Sequence, residues 1–287
     1  MHPLSVKGYK KGTVFEPYSI KTMRYTYCIL LFLLILTFQA RAQEPSRIQS
    51  TADLENAAGP GLEKNNFIPG EKMVFQVYYG PLNAGLVNTF LVLDTFRNQQ
   101  VYYAEAVVRT TGLADVLYKI RDMYGGYFNP TSLLPLKSIR DISEGNYKKH
   151  NIVEYNHDSL KAYSSESGEH DIPANIRDMV SVFYYVRTID YDTMQYDDII
   201  KINTFFDDEL FPFDMRFRGR ETIRTRGGKF NCIKLVPFVE PGRIFKHEDD
   251  MTIWFSDDAN RVPIRGKLDL IVGSVKIDLI HFEGLKY

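Results

Sequence analysis

Cysteine is scarce in this sequence, with two in 287 residues. Cys28 lies in an apolar run near the N-terminus, and Cys232 lies in the alternating apolar stretch FNCIKLVPF. Beyond the N-terminal run, one cysteine alone cannot form an internal disulfide, so stability has to come from an apolar core, which a chain of this length can supply. We predict that Cys232 is a buried small hydrophobic side chain rather than a nucleophile.

Motifs that carry catalytic or metal chemistry are also missing. The sequence has no H-E-x-x-H metal motif, no G-x-S-x-G elbow, no Walker A loop and no G-x-G-x-x-G loop. We therefore predict no cofactor and no metal site, and we name no catalytic residue. Two acidic runs, 207–209 and 247–250, are predicted to be solvated turns.

A hydrolase that uses paired carboxylates stays open, because pairing in space is not visible in a sequence. Six acidic side chains would be the candidates: Glu105, Asp122, Asp141, Glu144, Asp257 and Asp258.

The apolar run near the N-terminus is too short to span a bilayer, which needs about 20 residues. It comprises the eleven residues 28–38, follows two basic residues and precedes an A-x-A sequence. This order is typical of a secretory signal peptide. We predict that residues 23–42 are the signal peptide and that 1–22 are an extension from a misassigned start. The alternative is an uncleaved signal that anchors the protein.

Export and charge limit the expected partners. We predict a protein of the periplasm or cell envelope, with secretion as the alternative, and no transmembrane segment after cleavage. Without residues 1–42 the net charge is about −6, which disfavours nucleic acid and anionic membrane surfaces as main partners.

Strand signals dominate from Phe67 to the C-terminus, after a polar lead-in at residues 43–66. Runs rich in Val, Tyr, Phe and Thr alternate with short turn-like segments. These links are too short for crossover helices, so the strands should be antiparallel. We predict one all-β domain at 67–287: a single highly curved antiparallel sheet or open β-barrel of about 12 strands, with one or two short helices packed on it.

Two segments are predicted to be these helices. Residues 112–118 could form a short one. Residues 176–187 place apolar side chains on one helical face, with Asn175 as the cap. These side chains are Ile176, Met179, Val180, Phe183 and Val186.

The triplet Ile-Arg-Asp occurs at 120–122, 139–141 and 176–178. The third copy falls on the predicted helix. The first two are predicted to pair in a hairpin that turns around residues 129–132.

The register of this hairpin decides what the first two triplets do. A loop with an odd number of residues places Arg121 opposite Asp141 and Asp122 opposite Arg140, which gives two structural ion pairs. A loop with an even number places Arg121 opposite Arg140, and the two guanidinium groups would form an anion or headgroup site.

Six ordered segments between Gly70 and Arg265 carry a resemblance to a known family. They are Gly70-Glu71, YYGPLNAG, RTTGLADVLYKIRDMY, LLPLKSIRDISEGNYK, RDMVSVFYYVRT and IWFSDDANRVPIR. With them the chain resembles the bacterial family Domain of Unknown Function 3108. The resemblance implies an exported, predominantly β envelope protein with no established activity, so no site residue is carried over from it.

Three functions are compatible with these observations. The first is a non-enzymatic periplasmic binding or carrier protein for a hydrophobic or amphiphilic envelope molecule, such as a lipid. It is suggested by export, aromatic-rich strands and a fold similar to that of lipoprotein-carrier half-barrels, and it requires an apolar cavity. The second is a structural or interaction module that docks another envelope protein, which requires an exposed apolar patch. The third is a carboxylate-dependent hydrolase of envelope glycans, which requires a cleft with two acids.

Overall fold

The computed structural model describes residues 65–287 apart from 240, 243 and 244. The predicted extension, the signal peptide and residues 43–64 of the lead-in lie outside the described residues. The strands are β1 (Lys72–Tyr79), β2 (Leu82–Phe96), β3 (Gln99–Thr110), β4 (Arg121–Phe128), β5 (Pro135–Glu144), β6 (Tyr147–Asn156), β7 (Lys161–Ser164), β8 (Gly168–Asp171), β9 (Ile199–Ile200), β10 (Asn203–Phe206), β11 (Glu209–Pro212), β12 (Met215–Thr225), β13 (Gly228–Pro237), β14 (Met251–Ser256), β15 (Pro263–Asp269) and β16 (Ser274–Glu283). The helices are α1 (Gly112–Leu117) and α2 (Ser181–Arg187).

Fourteen of these strands form one antiparallel sheet, in the order β8-β7-β6-β5-β4-β3-β2-β1-β16-β15-β14-β13-β12-β9. Strands β10 and β11 form a separate hairpin. Two meanders are joined where β1 pairs with β16. The sheet is strongly curved and is not closed, since β8 and β9 are its outermost strands. The predicted all-β class and open, curved antiparallel sheet are therefore confirmed.

The curvature has a local cause in the strands at the centre of the sheet. Bulges occur between Val74 and Phe75 in the pairing with β16, and between Val77 and Tyr78 in the pairing with β2. A bulge bends a strand and increases its twist. Side chains in β1 still alternate, so Met73, Phe75 and Val77 are buried together on the concave face.

The second helix begins later than predicted. Residues 176–180 run over the concave face as an irregular segment, which we call the strap, and α2 follows it. The backbone of Arg177 explains the delay, because its amide donates to Asn203 (2.9 Å) and its carbonyl accepts from Phe205 (2.8 Å). These bonds tie Arg177 to β10, so its backbone groups are not available for helical hydrogen bonds.

The predicted cap of this helix was also wrong. Asn175 has a left-handed backbone with φ of 61°. Asp178 takes the capping role instead, since its Oδ1 accepts from the Ser181 amide (2.7 Å) while Ser181 Oγ accepts from the Asp178 amide (3.1 Å). This reciprocal pair satisfies backbone donors that a helix start leaves open.

Within residues 65–287 as described, neither helix is long and apolar enough to cross a membrane.

Candidate functional site

A cavity of about 200 Å³ lies between the concave face of the sheet and the segment formed by the strap and α2. We call it the apolar cavity. Its floor includes Phe75, Val77, Val108, Ile253, Val275 and Ile277. Its cover includes Met179, Val180, Phe183 and Tyr184. The cavity thus has apolar walls on both sides.

Small residues on two strands leave this space empty. Ala104 and Ala106 of β3 and Gly266 of β15 line the cavity. A Cβ placed on Gly266 would have Ile277 Cβ as its nearest neighbour, at 3.9 Å. A Cβ at Gly266 would therefore make only an ordinary van der Waals contact.

The cover is fixed to the sheet by a buried ion pair. Arg187, the last residue of α2, donates from Nη1 and Nη2 to the two carboxylate oxygens of Glu71, each at 2.7 Å. The side chains are 2% and 1% exposed. The Arg187 guanidinium also donates to the Asn260 carbonyl (3.2 and 3.1 Å) and lies over the rings of Phe67 and Tyr184. Its charge and its donors are therefore well compensated.

A smaller cavity of about 40 Å³ lies beside the apolar cavity. We call it the polar cavity. It is enclosed by the concave face of β4, β5 and β6, by the strap and by the β10–β11 hairpin. The two cavities share the wall residues Tyr124, Met179, Val180 and Phe206. The polar groups that line it belong to Ser138, Arg140, Asn151, Tyr155, Asp178 and Asp207.

Asp178 enters this cavity as a buried carboxyl group and is 2% exposed. Its Oδ1 caps α2, but its Oδ2 finds no hydrogen-bond donor among the described residues. A Cβ on Gly126 would lie 3.1 Å from this Oδ2, so the carboxyl group is packed directly against β4. Burial raises the pKa of Asp178, although the hydrogen bonds from Ser181 oppose the shift.

The acidic run 207–209 is not the solvated turn that the sequence predicted. Asp207 and Asp208 do form the turn between β10 and β11, with φ of 53° and 64°. Their carboxylates, however, point to the sheet: Asp207 accepts from Arg140 (2.7 Å) and Lys149 (2.5 Å), and Asp208 from Asn151 (3.0 Å). Burial alone would raise the pKa of Asp207, but the two cations hold it below its ordinary value.

The β4–β5 hairpin has a register that differs from both predicted ones. Met123 lies opposite Asp141, and Tyr124 lies opposite Arg140. The reason is a longer loop, because residues 129–134 all lie between the strands and a further irregularity follows Tyr127. Leu133 takes a left-handed backbone in this loop (φ 57°), which the apolar sequence did not indicate.

Arg121 and Arg140 consequently do not form a shared anion site. Arg140 lies on the concave face with Tyr124, whereas Arg121 is an odd number of residues from Tyr124 and lies on the other face. Arg121 donates to Asp115 Oδ1 at 2.9 Å, and Arg140 pairs with Asp207. Each arginine thus has an acidic partner that the sequence did not identify.

The acids of the two triplets are also separated. Asp141 is exposed, with His150 Nδ1 at 4.0 Å. Asp122 is buried, accepts from the Ser143 amide at 3.0 Å and hydrogen-bonds to Glu144. Burial raises the pKa of Asp122 to about 6, and burial with the neighbouring carboxylate raises that of Glu144 to about 8.

This carboxyl pair does not have the arrangement that glycoside hydrolysis needs. Asp122 and Glu144 contact each other directly and line neither the apolar nor the polar cavity. Two catalytic acids would need about 5 Å or more between them, with the glycosidic bond in the gap. Of the other candidates, Glu105 accepts from Tyr103 (2.5 Å), Asp257 from Arg220 (2.9 Å) and Asp258 from Ser256 (2.8 Å).

Cys232 is completely buried and forms no disulfide. Burial raises the pKa of its thiol to about 12, so it packs as a small hydrophobic side chain, as predicted. In the described part of the chain, no group of three or more His, Cys, Asp or Glu side chains is placed to hold a metal ion.

Several solved structures of bacterial proteins are similar to this chain. A β-barrel-like protein of family DUF1849 from Brucella abortus has 6% identity and a TM-score of 0.50, with 76% of this chain and 98% of that chain covered. A proposed lipoprotein from Parabacteroides distasonis has 13% identity and a TM-score of 0.32, with coverage of 77% and 98%. A proposed exported protein with a YmcC-like fold from Bacteroides fragilis has 11% identity and a TM-score of 0.27, with coverage of 76% and 99%. The first supports the barrel-like fold.

Comparison with curated proteins gives no significant match. A family does match the sequence over residues 74–280, and its description is "Protein of unknown function (DUF3108)". This range covers all of the large sheet except the first two residues of β1 and the last three residues of β16. The chain therefore belongs to the DUF3108 family.

Proposed function

We propose that this protein binds a hydrophobic or amphiphilic molecule of the cell envelope in the apolar cavity and does no chemistry on it. The observation that carries the proposal is the cavity itself. Most ligand sites in proteins are concave and mainly apolar, with a few polar groups that set the orientation. The apolar cavity has this composition and is covered by a segment that an ion pair holds in place.

The volume limits what can bind. A cavity of about 150 Å³ with apolar walls can hold a benzene molecule. At about 200 Å³, the apolar cavity fits one ring or a short alkyl chain, and it is too small for a complete two-chain lipid. It is partly open to solvent, so a longer chain can extend beyond it.

Native mass spectrometry tests the proposal on protein purified from cells that express the full chain. A discrete adduct of fixed stoichiometry is expected, and lipid extraction then gives its chemical class. A protein that carries no adduct and takes up no added alkyl probe would contradict the proposal.

A matched pair of variants shows whether the adduct is in the cavity. Ala106→Leu fills the cavity and should abolish the adduct. Val107→Leu adds the same side chain at the next position of β3, which faces the other side of the sheet, and should retain it. Loss of the adduct in both variants, or in neither, would place the ligand elsewhere.

The location of the protein follows from the predicted signal peptide at 23–42, and we propose the periplasm or cell envelope. The domain limits are proposed as 67–287, with Asn65 and Asn66 tethered just before them through hydrogen bonds to Pro130 and Arg187. An intact mass that begins at residue 43 would support cleavage and export. A mass that includes residues 23–42 would support an uncleaved anchor.

A second function, docking of another envelope protein, is favoured by one surface. Within the described chain, α1 buries none of its residues, and its outward side chains Leu113, Val116 and Leu117 are 61%, 82% and 75% exposed. The exposed side chains of Leu82 and Val272 lie at the two turns nearby, the β1–β2 and β15–β16 connections. We call these five residues the apolar rim.

Crosslinking in the envelope tests the docking function. A photo-reactive residue at Val116 should give one crosslinked partner. The control is the same residue at Leu160, which is also exposed but lies in the β6–β7 connection at the other end of the strands. Equal crosslinking at both positions would remove the support for docking through the rim.

A further inference from the structure

The apolar and polar cavities lie side by side, and their shared wall is one layer of side chains. Tyr124, Met179, Val180 and Phe206 face both of them. Met179 is the adaptable part of this wall, since its unbranched side chain has three rotatable bonds. A ligand whose apolar part fills the first cavity can therefore reach the second by moving this side chain.

Among the residues that line the polar cavity, Asp178 Oδ2 and Tyr124 Oη have no hydrogen-bond partner in the described part of the chain. Ser138 Oγ and Tyr155 Oη hydrogen-bond to each other at 3.2 Å. Asn151 donates to Asp208 and accepts from Ser164 at 3.0 Å. Asp178 Oδ2, in contrast, has no donor among the residues that the structure describes. The cavity therefore presents an unsatisfied carboxyl oxygen, Asp178 Oδ2, as a hydrogen-bond acceptor.

The charged groups near this acceptor do not form an ion pair with it in the described part of the chain. Asp207 is neutralised by its contacts with Arg140 and Lys149. No ion pair reaches Asp178 in the described part of the chain, and its neighbour Arg177 donates instead to the Ser132 carbonyl at 3.3 Å. A buried carboxyl oxygen without a donor is costly, and a donor brought by a ligand would remove that cost.

We propose that the polar cavity receives the polar end of the ligand, and that the ligand is a single-chain amphiphile whose small end donates a hydrogen bond to Asp178 Oδ2: a primary alcohol or a primary amine. This rests on the proposed function of the apolar cavity. The polar cavity, at about 40 Å³, is larger than the space of about 10–15 Å³ that one water requires. It is too small for a sugar or a phosphodiester headgroup.

Binding of three soluble probes by calorimetry tests the inference on the purified protein. The probes are 1-octanol, octylamine and 1-methoxyheptane, which have similar length and differ in the donor at one end. The alcohol and the amine should bind at least roughly tenfold more tightly than the ether, because only they can donate a hydrogen bond to the buried Asp178 Oδ2.

The variant Asp178→Asn tests the acceptor itself. Its amide oxygen can still accept from the Ser181 amide and cap α2, while its NH₂ group replaces Oδ2 and turns the acceptor into a donor. The preference for alcohol over ether should then fall to about one, and octylamine should lose at least tenfold in affinity. The control Asp197→Asn changes an exposed carboxylate that pairs with Arg218 and should keep the wild-type order.

The outcomes separate this inference from the proposed function. If none of the three probes binds wild-type protein, the proposed function fails together with the inference. If the ether binds wild-type protein as tightly as the alcohol does, the polar cavity holds only water, and this inference is overturned while the apolar site stands. The wild-type comparison decides this even if Asp178→Asn does not fold.

Discussion

Removing one partner of the buried pair between Glu71 and Arg187 should strongly destabilise the protein. Two contacts of 2.7 Å join the groups, and both side chains are almost fully buried. A buried charge that loses its partner typically costs about 3–5 kcal/mol. We expect this loss in Glu71→Leu and also in Arg187→Met. It is a large part of the stability of a typical domain, which is about 5–15 kcal/mol.

The double variant Glu71→Leu/Arg187→Met should lose far less stability than the two single variants lose together. With both charges gone, the remaining defect is the Asn260 carbonyl, which loses the Arg187 donors at 3.2 and 3.1 Å. An unsatisfied buried acceptor costs about 1–3 kcal/mol. The expected loss is therefore about 1–3 kcal/mol, against about 6–10 kcal/mol if the single effects added.

Equilibrium unfolding in urea measures these differences as shifts in the midpoint at constant slope. The control is Lys72→Met at the position directly after Glu71, which removes the ion pair between Lys72 and Glu283. That pair has a 3.2 Å contact but is about half exposed on both sides, so its loss should cost less than about 1 kcal/mol. The reasoning is refuted if Glu71→Leu loses as little stability as Lys72→Met does, or if the double variant loses as much stability as the two single variants combined.

Three further outcomes are expected. Because the pKa of Glu144 is raised to about 8 in the folded protein, folding is accompanied by the uptake of a proton at neutral pH. The free energy of unfolding should therefore fall as the pH rises from about 5 to about 8. Urea unfolding at several pH values measures this dependence, and the variant Glu144→Gln should weaken it. Cys232, fully buried and with its thiol pKa raised to about 12, should react with a thiol reagent only in denaturant; reaction of native protein within minutes would contradict its burial. Gly126→Ala should lose about 1–3 kcal/mol by overpacking, since its Cβ would lie 2.9 Å from Val180 Cβ, whereas Gly266→Ala, whose Cβ has its nearest neighbour at 3.9 Å, should change stability little.

Strand positions were predictable where side-chain alternation and turn residues agree. The strand-like sequences KMVFQVYY and YKKHNIVEYN coincide with β1 (Lys72–Tyr79) and β6 (Tyr147–Asn156). The turn-like residues 257–260 likewise lie in the connection between β14 and β15, which pair with each other. In each case the signal is local, because neighbouring residues alone determine which side chains alternate and where the chain turns.

The register of β4 and β5 could not be predicted in the same way. It depends on the length of the loop at 129–134, which ends with two leucines, a residue type that does not indicate a loop. Leu133 nevertheless adopts a left-handed backbone and is buried. Tertiary burial of a loop residue leaves no periodic pattern in the sequence.

The candidate site depends on contacts between residues that are far apart in the chain. Glu71 and Arg187 are separated by 116 residues, and the open acceptor of Asp178 exists only because β4 and the β10–β11 hairpin close around it. The apolar pattern at 176–187 correctly indicated a buried segment. It did not indicate that the backbone of Arg177 would hydrogen-bond to β10, and so the predicted helix began too early.

The two outermost strands have a consequence for how the protein behaves at high concentration. A sheet that does not close exposes unpaired backbone groups along both sides, where a second chain can add a strand and start aggregation. The outermost strands themselves are only four residues (Gly168–Asp171) and two residues (Ile199–Ile200) long, and β9 pairs with just Met215 and Arg216 of β12. The longer one carries Glu169 and Asp171, both paired with Lys161. On the β8 side the sheet thus offers an incoming chain few hydrogen bonds and a charged strand, which disfavours the addition of a further strand there.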